Sequence, residues 1–207
     1  IFSFDRIGYS GTVESGQSLT IGTEYLKLRK NTENEDDEDN PYPTDLLRLS
    51  LATVFRDEVN ESMPITSSLG SKTSDIVGNI RLKPNNFFSS NYNFSADNNL
   101  DVLKYNSLDA KFTVNNFITS FKYLEENDNI GDENYIQNNT SYKLNENNSF
   151  GFSVRKNKKI DLTEFYDLIY QYRNDCLTAA IKYRKDFYVD DDLKPTEQLF
   201  FSLTIVP

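Results

Sequence analysis

The sequence predicts an all-β protein made of antiparallel strands. Aromatic side chains make up 14% of the 207 residues, with 13 Tyr and 15 Phe, and aromatic residues are favoured in strands. Apolar and polar residues alternate with a period of two, the spacing that separates the two faces of a strand. Clusters of the turn-forming residues Asn, Asp, Gly and Pro interrupt this alternation. These patterns recur along the whole chain.

The pattern predicts about eleven strands, taken in chain order. They span residues 15–29, 45–57, 75–83, 87–96, 100–114, 117–125, 134–144, 149–155, 166–173, 176–187 and 198–206. No helical stretch separates them, so the chain is expected to form one β architecture.

Within these strands one face is apolar and the other is polar. The last strand has Leu199, Phe201, Leu203 and Ile205 on one face, opposite Phe200, Ser202 and Thr204. The strand before it places Ile181 and Tyr183 opposite Lys182 and Arg184. A β-sandwich buries its apolar face, whereas a membrane barrel turns it towards lipid. The alternation by itself leaves both architectures open.

Strand length and composition favour the barrel. Many strands reach about 9 to 13 residues, the length of a tilted membrane strand, while soluble strands average about 5 or 6. Hydrophobic residues make up only 37% of the chain and the mean hydropathy is -0.62, which is poor for a conventional core. No apolar run approaches the roughly 18 residues of a membrane-spanning helix. We therefore expect a transmembrane β-barrel.

The connections alternate between short turns and longer loops, as in bacterial outer-membrane barrels. Short turns are expected at 84–86, 115–116, 145–148 and 174–175, and longer connections at 58–74, 127–133, 156–164 and 188–197. Residues 97–99 and 30–44 depart from this alternation. If the last strand descends to the periplasm, the longer loops lie outside the cell.

The strand count indicates a partial barrel. Eleven is odd, whereas single-chain bacterial barrels normally have an even number of strands. The chain starts at Ile1 and shows no secretory signal peptide. We expect residues 1–207 to be the C-terminal portion of a larger barrel whose first strands lie upstream.

Charge and residue usage argue against two broad classes of function. The formal net charge is -10, from 22 Lys and Arg against 32 Asp and Glu, and nucleic-acid binding requires a basic surface. The chain has no His and one Cys, which removes the usual general base and zinc ligands. We expect no catalytic residues, no metal site and no cofactor.

The polar faces of the strands carry cations that would line a barrel interior. These are Arg48, Arg81, Lys111, Lys122, Lys182 and Arg184, accompanied by Gln171. They could help an anionic sugar head group pass, or they could be an ordinary polar lining. The sequence leaves these two interpretations open.

Two stretches resemble a known family. The first is Phe4-Asp5-Arg6, then Gly8-Tyr9-Ser10-Gly11 and Val13-Glu14-Ser15-Gly16-Gln17-Ser18-Leu19; the second runs through residues 170–188, 192–195 and 199–206. Together they are similar to lipopolysaccharide-assembly proteins of the LptD type, in the outer membrane of Gram-negative bacteria. The second stretch looks like the closing strands of that family's barrel.

The resemblance implies a transport protein, not an enzyme. Such a protein inserts lipopolysaccharide into the outer leaflet through a polar lumen and a lateral gate between its first and last strands. Its partners would be lipopolysaccharide, outer-membrane lipid, an LptE-type plug lipoprotein and an LptA-type periplasmic bridge. The bridge would act through an N-terminal jelly-roll domain that this sequence lacks. The last strand, with Leu199, Phe201, Leu203 and Ile205, would form one lip of the gate.

The resemblance also assigns a role to the single cysteine. Family members have cysteines just before the penultimate strand that join the barrel to the jelly roll by a disulfide, and Cys176 occupies that position. Some members carry two adjacent cysteines, whereas this chain has Asp175-Cys176. One interdomain bridge is therefore the most this segment could make.

Two alternatives remain beside this hypothesis. One is another outer-membrane barrel, a porin or receptor-type transporter, which would need no plug lipoprotein. The other is a secreted β-sandwich that acts as an adhesin or carbohydrate-binding module.

Overall fold

A computed structural model describes residues 16–29, 44–64, 66–128, 130–188 and 194–205. It contains eleven β-strands: β1 (Ser18–Arg29), β2 (Thr44–Arg56), β3 (Ile76–Leu82), β4 (Phe88–Ala96), β5 (Leu103–Val114), β6 (Phe117–Glu126), β7 (Asn134–Lys143), β8 (Asn148–Asn157), β9 (Leu162–Arg173), β10 (Leu177–Asp186) and β11 (Thr196–Ile205). Each predicted strand is present, so the all-β prediction is confirmed.

The strands form one open antiparallel sheet in which sequence order and spatial order coincide, with β1 and β11 as its end strands. This order agrees with the antiparallel part of the prediction. No helix in the described part of the chain is long and apolar enough to cross a membrane.

The largest departure from the predicted boundaries lies between β8 and β9. We expected a long connection over residues 156–164, but β8 continues to Asn157 and β9 begins at Leu162, so that expectation was wrong. The register shifts between Arg155 and Lys156, which marks a β-bulge. The extra residue is Glu164 of β9, because Arg155 pairs with Phe165 and Lys156 pairs with Thr163. It interrupts the alternation that predicts the start of β9.

The connection between β2 and β3 is ordered and includes a 3-10 helix, Ser68–Gly70, that the sequence pattern did not indicate. The Ser67 side chain caps it by accepting a hydrogen bond from the Leu69 N–H. A Cβ on Gly70 would lie 2.7 Å from the carbonyl oxygen of Asn60, so this packing requires glycine. The predicted long connection at 30–44 lies outside the described residues, apart from Thr44, which begins β2.

The sheet divides into two compact units. Among the described residues, unit 1 contains those up to 85 together with 90–107 and 125–132, and unit 2 contains 86–89, 108–124 and those from 133 onward. Each unit has one apolar and one polar face.

In unit 1, apolar residues lie opposite apolar residues of the neighbouring strand on one face, and polar residues interact with polar residues on the other. Leu49 of β2 lies opposite Ile80 of β3, and Ile80 lies opposite Tyr92 of β4. On the other face, the Asn79 side chain donates to Asn91 Oδ1 at 2.7 Å and to Asn93 Oδ1 at 2.6 Å. The side-chain amides of these residues therefore hydrogen-bond to one another on the polar face.

Unit 2 repeats the arrangement over β7 to β11. Its apolar face carries Phe150, Phe152, Leu168, Tyr170, Ile181, Tyr183, Leu199, Phe201, Leu203 and Ile205, which share one side of the sheet by register. Its polar face carries Asn139, Ser153, Asp167, Gln171, Lys182, Arg184 and Gln198.

In both units, burial is inverted relative to a soluble protein. In β2, Ala52 and Val54 on the polar face are each 5% exposed, whereas Leu51 and Phe55 on the apolar face are 42% and 40% exposed. In β9, Asp167 is 6% exposed and the next residue, Leu168, is 51% exposed. A soluble antiparallel sheet normally buries its apolar face. Here the polar side of each unit is the protected one.

Candidate functional site on the polar face and the terminal strand

A cluster of charges occupies the polar face of unit 2 where β9 and β10 pair. Asp167 and Arg184 are register partners, and Lys182 lies one pair further along the same face. The Nζ of Lys182 is 3.1 Å from Asp167 Oδ2, and Nη1 of Arg184 is 3.7 Å from the same oxygen. One nearly buried carboxylate therefore contacts two of the predicted cations.

Arg184 is held by further contacts. Its Nε donates to Asp186 Oδ1 at 2.8 Å, and its guanidinium lies 4.3 Å from the centre of the Phe165 ring. The two cations and the two carboxylates of the cluster cancel in formal charge. This cluster is thus an ordered, neutral polar surface instead of a free positive patch.

The other oxygen of the Asp167 carboxylate, Oδ1, is buried and makes no hydrogen bond in the described part of the chain. A buried acceptor without a donor costs free energy. Its closeness to two cations offsets part of that cost, since charges interact strongly at low dielectric.

Arg48 and Arg81 come together in unit 1, where they are register partners on β2 and β3. Arg48 reaches Glu24 Oε1 at 3.2 Å and Asp45 Oδ2 at 2.7 Å. Like charges directly opposite each other destabilise a sheet, and these carboxylates reduce that repulsion. The predicted barrel cations Arg48, Lys182 and Arg184 are therefore all ion-paired.

Lys111 and Lys122 stand on β5 and β6 within unit 2. Thr119 Oγ1 lies 2.8 Å from Thr140 Oγ1, which assigns Thr119 to the apolar face of unit 2. Lys122, three positions later, is on the opposite side of β6. Lys111 and Phe112 are adjacent in β5, so their side chains are on opposite faces. The centre of the Phe112 ring lies 4.8 Å from that of the Phe88 ring. The positions of these two lysines agree with the predicted strand faces, and their role stays a prediction.

The terminal strand β11 exposes its apolar face more than any neighbouring strand described in unit 2. Phe201 and Ile205 are each 72% exposed and Leu203 is 67% exposed. β11 pairs with β10 on one side and is an end strand of the sheet. An end strand with such a face leaves both apolar side chains and backbone groups available for contact.

Cys176 lies in the turn between β9 and β10, where it is exposed and a free thiol. Its backbone N–H donates to Asn174 Oδ1 at 3.1 Å, and that oxygen also accepts from Leu177 at 2.7 Å. The Asn174 side chain thus orders the turn that presents the cysteine. Accessibility permits a bridge to another domain, and the bridge itself stays a prediction.

Unit 1 contains a second charged site, which the sequence pattern did not single out. A cavity of about 660 Å³ lies beside the β2–β3 connection. On its wall, Lys104 Nζ is 3.1 Å from Asp75 Oδ1 and 4.0 Å from Asp128 Oδ2. The same wall includes four residues with hydroxyl groups: Ser67, Ser68, Ser71 and Thr73.

Sequence reasoning located the cations but did not pair them with their acidic partners, chiefly Asp167 and Glu24. A signal was present, since both are carboxylates on polar-face positions of predicted strands. Recognising them required the register between strands. In the described part of the chain, no group of three or more His, Cys, Asp or Glu is placed to hold a metal ion.

No protein-family model and no curated protein matches the sequence of this chain.

Proposed function

We propose that this chain forms the membrane-spanning strands of an outer-membrane β-barrel. The observation that carries the proposal is the inverted burial: apolar side chains such as Phe201 and Leu168 are exposed while Asp167 is protected. In water such a face would aggregate, and lipid is the environment that stabilises it.

Strand length supports the same conclusion. Strands β6, β7, β8, β10 and β11 each contain 10 residues. At roughly 3.3 Å per residue and a tilt of about 40°, such a strand crosses about 25 Å, the height of the apolar band of a membrane barrel.

Polar residues on the apolar face are compatible with lipid because they bond to one another. Asn138 Nδ2 donates to Thr119 Oγ1 at 2.9 Å, and Thr140 Oγ1 donates to Asn138 Oδ1 at 3.0 Å. In a bilayer core, polar groups must find partners inside the protein. This triad meets that requirement without water.

Within this class, we propose a transport barrel of the LptD type that assembles lipopolysaccharide into the outer leaflet. The polar face, with its paired charges, would conduct the hydrophilic head group. The end strand β11 would be one lip of a lateral opening for the acyl chains. The support for this finer proposal is the resemblance of residues 170–188 and 199–206 together with the exposed edge at β11.

The first test concerns the barrel. The full-length gene product is extracted in detergent and analysed by electrophoresis with and without heating. A membrane barrel migrates faster before heating than after it, whereas a soluble sandwich stays in solution without detergent. Detergent-independent solubility would refute the barrel.

The second test concerns the substrate. The full-length gene product is depleted, and arrival of newly made lipopolysaccharide at the cell surface is followed, with the wild-type gene restored as control. We expect arrival to stall on depletion and to recover on restoration. Normal arrival would refute the lipopolysaccharide proposal and leave a porin-like barrel as the better account.

A further inference from the structure

The apolar face of unit 2 contains a shallow groove of about 370 Å³ between β7 and β10. Its described lining residues are Thr140, Tyr142, Phe150, Gly151, Phe152, Leu168, Ile169, Tyr170, Ile181 and Tyr183, none of which is charged. The rings of Phe150 and Tyr170 lie 5.1 Å apart and form one wall. A flexible hydrocarbon chain suits such a groove because the lining offers apolar contact and few polar partners.

Two lysines mark one end of this face. Tyr183 lines the groove, and Lys185 lies two residues further along β10 on the same face, opposite Tyr166. Tyr166 in turn lies opposite Val154 of β8, and Lys156 follows two residues later. Both lysines therefore stand where the apolar face meets the β8–β9 and β10–β11 connections.

Each lysine is paired with an exposed carboxylate. Lys185 Nζ lies 2.8 Å from Glu197 Oε1, and Lys156 Nζ lies 2.6 Å from Asp161 Oδ1. The Glu197 and Asp161 side chains are 56% and 86% exposed. The Lys185 and Lys156 side chains are 24% and 41% exposed. Pairs whose carboxylates are this exposed contribute about 1 kcal/mol or less, so a phosphate with more negative charge can replace each carboxylate at the ammonium group.

We infer that the groove and these two lysines form a docking site for a phosphorylated, acylated lipid. One acyl chain lies in the groove, and phosphate groups contact Lys156 and Lys185. On the proposed function, on which this inference depends, that lipid is lipopolysaccharide in the leaflet around the barrel. The site therefore faces lipid and is separate from the polar face that would conduct the head group.

The combination of an apolar groove with two lysines fits a phosphorylated, acylated lipid better than an uncharged lipid or a soluble anion. An uncharged lipid would fill the groove without using either lysine, and a soluble anion would use the lysines without the groove. By sheet spacing, the two lysines are on the order of 10 Å apart, with β9 between them, so each meets a different phosphate. A lipid with two phosphates on its sugar anchor satisfies both positions.

The test uses the full-length protein in a neutral detergent, mixed with the acylated glucosamine anchor of lipopolysaccharide in phosphorylated and dephosphorylated forms. Native mass spectrometry counts the molecules retained. We expect the phosphorylated anchor to be preferred and the double variant Lys156→Gln, Lys185→Gln to weaken its retention roughly three- to tenfold. The dephosphorylated anchor should bind both proteins equally.

The matched control is Lys143→Gln combined with Lys83→Gln, which removes the same charge from the polar face of unit 2 and from a turn of unit 1. It should retain the anchor as the wild type does. The opposite variant, Asp161→Asn with Glu197→Gln, removes the competing carboxylates and should increase retention. Equal losses in the control, or equal retention of both forms of the anchor, would overturn the inference.

Heat-modifiable migration is recorded for every variant. If the wild type migrates as a barrel but shows no preference for phosphate, the docking site is refuted and the barrel stands. If the wild type does not migrate as a barrel, the proposed function fails first. The two failures are therefore distinguishable.

Discussion

The carboxylate of Asp167 lies 3.1 Å from the ammonium group of Lys182 on the polar face of unit 2. The carboxylate side chain is 8% exposed and the lysine side chain 32% exposed. Because the pair is partly protected from water, it is stronger than a surface ion pair and costly to break from one side.

We expect Asp167→Asn to destabilise the protein by about 1 to 2 kcal/mol. The loss of a fully buried partner costs about 3 to 5 kcal/mol, but Lys182 and Arg184 can recover water because they are partly exposed. The change is measured as the denaturant midpoint of the full-length protein in detergent. Asp175→Asn, in the exposed turn before β10, is the control and should shift the midpoint little. Equal midpoints for Asp167→Asn and the wild type would contradict the assigned pairing.

Two glycines should respond differently to alanine. A Cβ on Gly78 would lie 2.3 Å from the Phe94 ring and 2.9 Å from a methyl group of Leu51, whereas the nearest atom to a Cβ on Gly151 is 3.6 Å away. Gly78→Ala should therefore cost about 0.5 to 1.5 kcal/mol, because the Phe94 ring and the Leu51 side chain must turn aside from their preferred rotamers, and Gly151→Ala should be close to neutral.

Thermal unfolding of both glycine variants checks this expectation. Combining Gly78→Ala with Phe94→Leu should recover part of the loss, because the smaller side chain leaves room for the new methyl group. A loss at Gly151 as large as that at Gly78 would show that the described packing around these residues is wrong.

The apolar face of β11 should reject charge. A lysine on a lipid-facing position near the membrane centre costs about 2 to 4 kcal/mol, and one on the interior face costs much less. Phe201 lies near the middle of β11, so we expect Phe201→Lys to reduce barrel assembly and Ser202→Lys to leave it nearly unchanged. Heat-modifiable migration of membrane extracts measures the assembled fraction. Equal effects of the two neighbouring substitutions would contradict the assignment of faces.

The β4–β5 turn should loosen in acid. The backbone N–H of Val102, assisted by that of Asp101, donates to the Asp97 carboxylate and lowers the pKa of Asp97 below 3.8. A carboxylate whose pKa is lower in the folded than in the unfolded state stabilises the fold at any pH above its unfolded-state pKa. That contribution is lost as the pH falls through the folded-state pKa. The loss should therefore occur below pH 3.8.

Amide exchange at Val102, followed between pH 2 and pH 6, measures this loosening. Exchange should lose protection at the acidic end of that range after correction for the intrinsic rate. In Asp97→Asn the amide should be less protected and the acid-dependent step should disappear. A step of the same size in Asp97→Asn would exclude Asp97 as its cause.

Cys176 should report on the predicted interdomain bridge. Because it is exposed in its turn, a free thiol there should react with a maleimide reagent at once. In the full-length protein from an oxidising compartment, we expect no reaction until a reductant is added. Mass spectrometry of non-reduced peptides identifies the partner, and Cys176→Ser is the control. Immediate labelling without reductant would refute the bridge.

Much of this fold was predictable because strand periodicity is local. The alternation at Leu199, Phe201, Leu203 and Ile205 requires only neighbouring residues, and the structure places these residues on one face of β11. Short Asn-rich turns mark strand ends for the same reason. The start of β9 departs from the prediction because a bulge at Glu164 interrupts the alternation.

The strands, their two faces and the positions of the cations could be predicted, since all of these follow from side-chain spacing along one strand. Other relationships required the folded chain: Asp167 lies opposite Arg184, Lys104 reaches Asp75, and Lys156 and Lys185 lie at one end of an apolar groove. These relationships depend on the register between strands that are distant along the chain. A shift of one residue in register would turn every side chain of a strand to the opposite face.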